Sequence, residues 1–161
     1  MKKLIAIVLA ALMLCAMTAC TENEGTPTTT PTKVEGYTFT FQGLDLVPGA
    51  DFDAAALSIV ESFENPNCAG EGKFITYLHD GMELTVNTNG DKTVVYSVFI
   101  TDPNLATNEG LHLGDDLAAV TAAYGEATSE DDGLLTYVKN KTHLVIQLEN
   151  ELVTAIEFRL A

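Results

Sequence analysis

The sequence predicts an α+β domain in which two tandem α-β-β-β units form one curved antiparallel sheet, with helices packed on one face and an additional N-terminal strand. Three observations predict this fold. A pair of segments repeats at an offset of 60 residues, a stretch with helical periodicity precedes each copy, and turn dipeptides separate short apolar strands. The two units are expected to cover residues 37–104 and 105–161.

The repeat is carried by residues 74–86 and 134–146, which read FITYLHDGMELTV and LLTYVKNKTHLVI. Apolar and tyrosine positions coincide in the two copies, and further matches join residues 95–100 to residues 153–158. A repeat of this period indicates two copies of one supersecondary unit whose apolar faces pack together.

One helix is expected in each unit, at Phe52–Phe63 and at Leu117–Tyr124, where apolar side chains recur at steps of three and four residues. Asp51 precedes the first helix, and Asp115 and Asp116 precede the second. A carboxylate at a helix start accepts hydrogen bonds from free backbone N–H groups and contributes about 1 kcal/mol. We therefore interpret these aspartates as N-caps and not as a paired-carboxylate site.

About seven strands are expected, because period-two apolar patterns follow each helix. The dipeptides Asp80-Gly81 and Asn89-Gly90 suit tight hairpins. The N-terminal strand, Tyr37–Phe41, alternates aromatic residues with threonine and is expected to pair at the sheet edge.

A binding surface is predicted on the sheet face that the helices leave open. Phe99 is out of phase with its apolar neighbours, so we expect it to project from that face beside Tyr77 or Tyr137. Asp91, which follows the second hairpin dipeptide, is assigned to the same surface. Exposed aromatic residues on a sheet are typical of binding surfaces, although they equally suit a covered second face or a dimer contact.

The first 19 residues are typical of a signal peptide, with two lysines followed by an apolar run too short to span a membrane comfortably. Met17–Cys20 resembles the lipobox of bacterial lipoproteins, which implies lipidation of Cys20, with acyl chains such as palmitate. An ordinary secretory signal is the alternative. Residues 20–36 are rich in Thr and Pro and are expected to form a disordered tether. The protein is thus predicted to be exported and lipid-anchored to the outer face of the cell membrane.

The formal net charge is −15, and removal of Lys2 and Lys3 with the signal peptide makes the chain more acidic still. Nucleic acid is excluded as a partner because its phosphates require clustered Lys and Arg. Direct docking on an anionic membrane is excluded for the same reason, so membrane contact is expected only through the N-terminal lipid.

Catalytic and metal sites are not indicated by any motif. The three histidines lack the spacing of a zinc site, no serine lies in a nucleophile elbow, and the acidic segments do not fit a calcium loop. We therefore expect no enzyme activity, no metal and no cofactor. Cys68 is an unpaired thiol in an exported protein, which suits a reactive group, an intermolecular bridge or, more simply, a small buried side chain.

The pattern of residues 114–126, GDDLAAVTAAYGE, with the strands that follow it, resembles the helix–hairpin repeats of the β-lactamase-inhibitory-protein-like superfamily. Residues 68–86 and 101–116 resemble a group of Gram-positive surface lipoproteins built from two such units. This resemblance implies protein binding through the sheet face and hairpin loops, without catalysis.

These observations predict a non-enzymatic module that binds another envelope protein or a peptide, as a monomer or weak dimer. The alternative is a surface protein whose acidic loops capture a small ligand or a divalent cation. Less favoured are an activity like that of the β-lactamase inhibitors and thiol chemistry at Cys68.

Overall fold

The computed structural model describes residues 34–68 and 70–161. The predicted signal peptide, the lipidation site Cys20 and the tether up to residue 33 lie outside the described residues. The end of the predicted tether contacts the domain, because the Glu35 carbonyl accepts a hydrogen bond from Asn140 Nδ2 at 2.9 Å. Glu35 therefore already contacts the domain, two residues before the predicted domain start at Tyr37.

The prediction of an α+β domain with helices packed on one face is wrong, because the described residues are mostly β-strand with one short helix. In chain order the elements are β1 (Phe39–Phe41), β2 (Leu44–Leu46), a 3-10 turn (Ala54–Ala56), β3 (Glu61–Pro66), β4 (Lys73–His79), β5 (Met82–Asn89), β6 (Lys92–Ile100), α1 (Leu117–Tyr124), β7 (Ser129–Asp131), β8 (Leu134–Lys139), β9 (Thr142–Glu149) and β10 (Leu152–Leu160).

Eight strands form one antiparallel sheet in the order β3-β4-β5-β6-β10-β9-β8-β7. The hairpin between β4 and β5 turns at Asp80-Gly81, where Gly81 has a φ of 88°. The next hairpin turns at Gly90-Asp91, one residue later than the dipeptide that the sequence favours, because Asn89 is already paired with Lys92. Short turns of this kind fix the strand register.

The segment Phe52–Phe63 does not form the predicted helix. Its helical part is the single 3-10 turn, and its end belongs to β3, which pairs with β4. The start is held in an extended conformation because the Phe52 N–H donates to the Thr93 carbonyl at 2.9 Å. The predicted buried face is also not buried, since Val60 is 76% exposed and Phe63 is 44% exposed. A short helix that buries few side chains is marginally stable by itself, so the pairing of the end of this segment with β4 prevails.

The second predicted helix forms as α1, at Leu117–Tyr124. Asp116 Oδ1 accepts a hydrogen bond from the Ala119 N–H at 2.9 Å, which makes Asp116 the N-cap residue. Val120 is fully buried, whereas Leu117 is 42% exposed. The helix therefore packs through a narrower stripe than its apolar spacing predicts.

The prediction that the N-terminal strand pairs at the edge of the large sheet is wrong. β1 pairs with β2 in a separate two-stranded sheet. This small sheet packs over the large one, because Phe39 is buried and its ring centroid lies 5.8 Å from that of Phe158 in β10. Burial of Phe39 and Phe41 outweighs the hydrogen bonds that an edge position offers.

The same local features recur on the two sides of the β6–β10 pair. Each of these strands carries a β-bulge, at Tyr96 in β6 and at Thr154 in β10. Both bulges directly follow a buried valine, Val95 and Val153. A bulge bends its strand and increases the local twist, so the sheet is bent at matching places in both halves.

Each of these valines accepts a backbone hydrogen bond from a glycine that begins a connecting segment. The Gly49 N–H donates to the Val95 carbonyl and the Gly114 N–H donates to the Val153 carbonyl, both at 2.8 Å. Both glycines have a φ of 90°, a conformation that disfavours other residues. After this shared start the two segments differ, because one makes a single 3-10 turn and the other continues into α1.

One face of the large sheet carries the hydrophobic core, and we call it the covered face. Side chains from β5, β6, β8, β9 and β10 form a continuous buried cluster there. The connecting segments and the small sheet complete that cluster with Phe39, Phe41, Leu46, Leu57, Leu111 and Val120.

Capping of α1 by Asp116 can be tested by comparison with Asp51, which holds the equivalent position in the segment that begins at Gly49. Asp116→Ala is expected to lower the free energy of unfolding by about 1 kcal/mol, because a helix N–H loses its acceptor. Asp51→Ala is expected to change it by less than about 0.5 kcal/mol, because Asp51 makes only a long, exposed ion pair of 3.9 Å with Lys92. Denaturant unfolding measures both values, and equal losses would contradict the assignment.

Candidate binding surface

The second face of the large sheet carries a regular array of half-buried and exposed side chains, and we call it the open face. Side chains alternate between the faces along each strand except at the bulged residues Tyr96 and Thr154, so the register assigns each paired residue to one face. Phe74, Leu78 and Phe99 lie on the open face and do not belong to the core cluster.

A row of alternating glutamate and apolar residues crosses six adjacent strands of the open face. The register pairs each residue with the next in the order Glu61, Leu78, Glu83, Phe99, Glu157 and Val145. We call this set the glutamate row. Its carboxylates come from β3, β5 and β10, and apolar side chains lie between them on β4 and β6.

A second row runs beside it and is mainly hydroxylated at its centre. The register orders it as Phe63, Thr76, Thr85, Ser97, Arg159, His143 and Val138. Thr76 and Thr85 share a hydrogen bond of 3.1 Å between their hydroxyl oxygens. Arg159 Nη1 lies 3.7 Å from Glu157 Oε2, so the two rows are connected by one ion pair.

Aromatic side chains concentrate in the half of the open face formed by β3 to β6. The rings of Phe74 and Tyr96 lie 4.7 Å apart, and Tyr96 is 37% exposed. Phe63, on β3, is exposed as well. Partly exposed aromatic rings bring large contact areas with little conformational entropy, which suits a binding surface.

The candidate aromatic residues from the sequence are divided between the two faces. Phe99 lies on the open face, between Glu83 and Glu157 in the register. Tyr77 and Tyr137 lie instead on the covered face, where Tyr77 contacts Phe52 and Tyr137 is buried. The prediction that Phe99 lies beside Tyr77 or Tyr137 is therefore wrong, because the strand phases of these tyrosines are opposite to that of Phe99.

Tyr137 belongs to a tyrosine cluster between the covered face and α1. The Tyr124 ring lies 6.2 Å from that of Tyr37 and 5.6 Å from that of Tyr137. The Tyr124 hydroxyl donates to Glu109 Oε2 at 2.7 Å. Burial raises the pKa of Tyr124 well above its ordinary value, and the Glu109 carboxylate raises that pKa further. Burial likewise raises the pKa values of Tyr37 and Tyr137.

The aspartates predicted as N-caps have three different roles. Asp116 caps α1, and Asp115 Oδ2 accepts a hydrogen bond from the His112 N–H at 2.7 Å in the preceding loop. Asp51 forms an isolated bridge with Val94, while the neighbouring Asp53 caps the 3-10 turn.

Asp91 lies on a wide depression of about 670 Å³ at the tip of the β5–β6 hairpin, away from the centre of the open face. Asp51, Phe52 and Lys92 line it as well. The Lys92 ammonium lies near the Asp51 carboxylate and offsets part of the negative charge there.

Cys68 is exposed, and its sulfur lies 3.8 Å from the Pro66 carbonyl oxygen. The interpretation of Cys68 as a small buried side chain is therefore wrong.

Across residues 34–68 and 70–161, the His, Cys, Asp and Glu side chains do not gather in threes that could hold a metal ion. Among the same residues, no helix has the length and apolar character needed to cross a membrane.

Sequence reasoning found Phe99 but missed the glutamates of the open face, Glu61, Glu83 and Glu157, and its other aromatic and apolar residues, Tyr96 and Leu78 among them. The strand phase of Glu83 and Glu157, opposite to the buried apolar residues, was a usable signal. The alternation of Val94, Tyr96 and Val98 places Tyr96 on the buried side of its strand, and the bulge that moves it to the open face has no clear sequence signal. Glu61 was hidden by the wrong helix prediction.

Comparison of the chain with protein-family models, curated proteins and solved structures found no match in any of the three. The resemblance to the β-lactamase-inhibitory-protein-like superfamily therefore stays a prediction. The residues of the open face carry the functional inference.

The raised pKa of Tyr124 predicts a loss of stability at high pH. Above pH 10, the ordinary pKa of the phenol, Tyr124 ionises in the unfolded chain but stays protonated in the folded domain. The free energy of unfolding must therefore fall as the pH rises above 10. Tyr124→Phe should make this fall less steep in denaturant unfolding measured between pH 8 and pH 11, values that bracket the ordinary phenol pKa at about 10.

Tyr96→Phe is the matched control, because it removes a hydroxyl outside the tyrosine cluster. Tyr124→Phe is expected to change the slope more than Tyr96→Phe does. An unchanged slope for Tyr124→Phe would contradict the predicted contribution of Tyr124.

Proposed function

We propose that the protein is an exported, lipid-anchored and non-enzymatic module that binds another envelope protein or a peptide through the open face. The observation that carries the proposal is a sheet face with exposed aromatic and apolar residues outside the core cluster. Such surfaces are typical of interaction sites in folded proteins.

The side chains of the open face support a binding role more than a catalytic one. The open face has aromatic rings, hydroxyl groups and widely spaced charges, which together favour contact with a folded or helical partner surface. Cys68 is exposed, but its one described contact is the Pro66 carbonyl, and no base for a nucleophilic thiol lies in that contact.

Attachment to the membrane is proposed from the N-terminal sequence. Lipidation at Cys20 would hold the domain at the outer face of the membrane, while the acidic chain avoids direct contact with anionic lipids. The domain is proposed to act as a monomer or weak dimer.

Lipidation can be tested by growth of expressing cells with an alkyne analogue of palmitate. Cys20→Ser is expected to abolish labelling and to release the chain from the membrane fraction. Cys15→Ser and Cys68→Ser are the matched controls and should remain labelled. Labelling of Cys20→Ser at the parental level would contradict the proposed anchor.

Binding through the open face can be tested by photo-crosslinking on intact cells. Benzoylphenylalanine in place of Tyr96 presents the reactive group on the open face, and the same residue in place of Ala118 presents it on the exposed side of α1. An adduct of defined mass is expected from the Tyr96 position alone. No adduct from Tyr96, or the same adduct from both positions, would argue against the proposed face.

A further inference from the structure

The glutamate row has a spacing that an unstructured acidic patch lacks. Glu61, Glu83 and Glu157 lie on alternate strands of the open face. Adjacent strands lie about 4.8 Å apart, so successive carboxylates are about 10 Å apart along a line that crosses the strands. Leu78 and Phe99 occupy the midpoints of the two intervals.

The first two carboxylates of this row differ from the third in their cationic neighbours. Within residues 34–68 and 70–161, Glu61 and Glu83 form no ion pair, whereas Glu157 lies near Arg159. Lys73 of the neighbouring β4 is on the covered side of the register and is paired with Glu64 at 2.7 Å. The aromatic half of the open face is therefore negatively charged along its centre.

We infer that the open face binds a basic amphipathic helix of a partner protein, laid across the strands with Lys or Arg at every seventh position. This inference rests on the proposed function and names the chemistry of the partner. A helix rises about 1.5 Å per residue, so seven residues span about 10.5 Å and return to nearly the same face. That repeat matches the separation of the carboxylates.

Apolar residues of the same helix face fall three and four positions after each basic residue, about 5 Å along the axis. They meet Leu78 and Phe99, which lie midway between the glutamates. Each seven-residue repeat of the helix can thus contact a glutamate through its basic residue and an apolar side chain of the row through its apolar residues.

An extended peptide cannot contact successive glutamates of the row and the apolar residues between them at the same time. Its residues rise about 3.3 Å each, so a spacing of about 10 Å corresponds to three residues, and side chains three apart point to opposite faces. Only one of two such basic residues would reach the sheet. An extended peptide can therefore contact alternate carboxylates only out of register.

A second copy of this chain does not supply such a helix from its described residues. The sequence of α1, LAAVTAAY, contains no Lys or Arg. The partner is consequently a different protein, and its basic residues complement a chain with a net charge of −15.

The two components of the surface contribute in different ways. Exposed ion pairs are individually weak, whereas contact with a partly buried aromatic ring such as Phe99 contributes more to affinity. The glutamates mainly fix the orientation and register of the helix and exclude acidic partners.

The test uses the full-length chain in phosphatidylcholine nanodiscs, with empty nanodiscs as the blank, and fluorescent peptides of about 21 residues. The first peptide has Lys at every seventh position and Leu three and four residues later. The second has Glu in place of each Lys, and the third has the same composition with Lys at every fifth position. Fluorescence anisotropy gives the dissociation constants.

The first peptide is expected to bind at least about tenfold more tightly than either control peptide, and its affinity should fall with rising salt. Glu83→Gln and Glu61→Gln should each weaken it by about threefold. Glu126→Gln, which makes the same charge change in the loop after α1, should leave the affinity unchanged. Phe99→Thr should weaken binding by about tenfold.

Equal affinity for the first and third peptides, or loss of binding in Glu126→Gln equal to that in Glu83→Gln, would overturn the inference. Circular dichroism melting checks that each variant folds, and the exposed Glu61 on the edge strand provides a variant with little structural risk. If the Tyr96 cross-link forms but no peptide binds, the helix inference fails and the proposed function stands. If neither is observed, both fail.

Discussion

The pairing of β6 with β10 is the interaction on which the rest of the structure depends. It is the one strand pairing that joins the two four-stranded halves of the described sheet. The register places Ile100 opposite Ile156 and Val98 opposite Phe158, and all four side chains are buried on the covered face. Because side chains alternate, the same register places Phe99 opposite Glu157 on the other face. One pairing therefore determines both the core and the glutamate row.

The covered face explains why a single short helix is sufficient. Burial of the apolar side chains of the sheet is the main stabilising term, and any segment with a few apolar residues can complete it. The small β1–β2 sheet provides Phe39, α1 provides Val120, and the loop before α1 provides Leu111. The core is thus complete without side chains from the open face.

Local patterns predicted the strands β4, β5, β6, β8, β9 and β10 and the helix α1, because apolar periodicity and turn residues act over short distances. They failed at Phe52–Phe63, where helical spacing was overridden by a hydrogen bond to Thr93 and by pairing with β4. The position of Phe99 on the open face followed from its strand phase. The alignment of Glu61, Glu83 and Glu157 depends on pairing between distant segments, which a single sequence does not display.

The edges of the sheet have a consequence for aggregation. β3 is exposed along its whole length, yet its last residue, Pro66, has no N–H, and Glu61 and Glu64 place charge along it. The opposite edge, β7, has three residues, two of them acidic. Proline, charge and short length each oppose the addition of a further strand from another molecule. The protein can therefore expose a partly apolar sheet face while both edges of the sheet oppose the growth of fibrils.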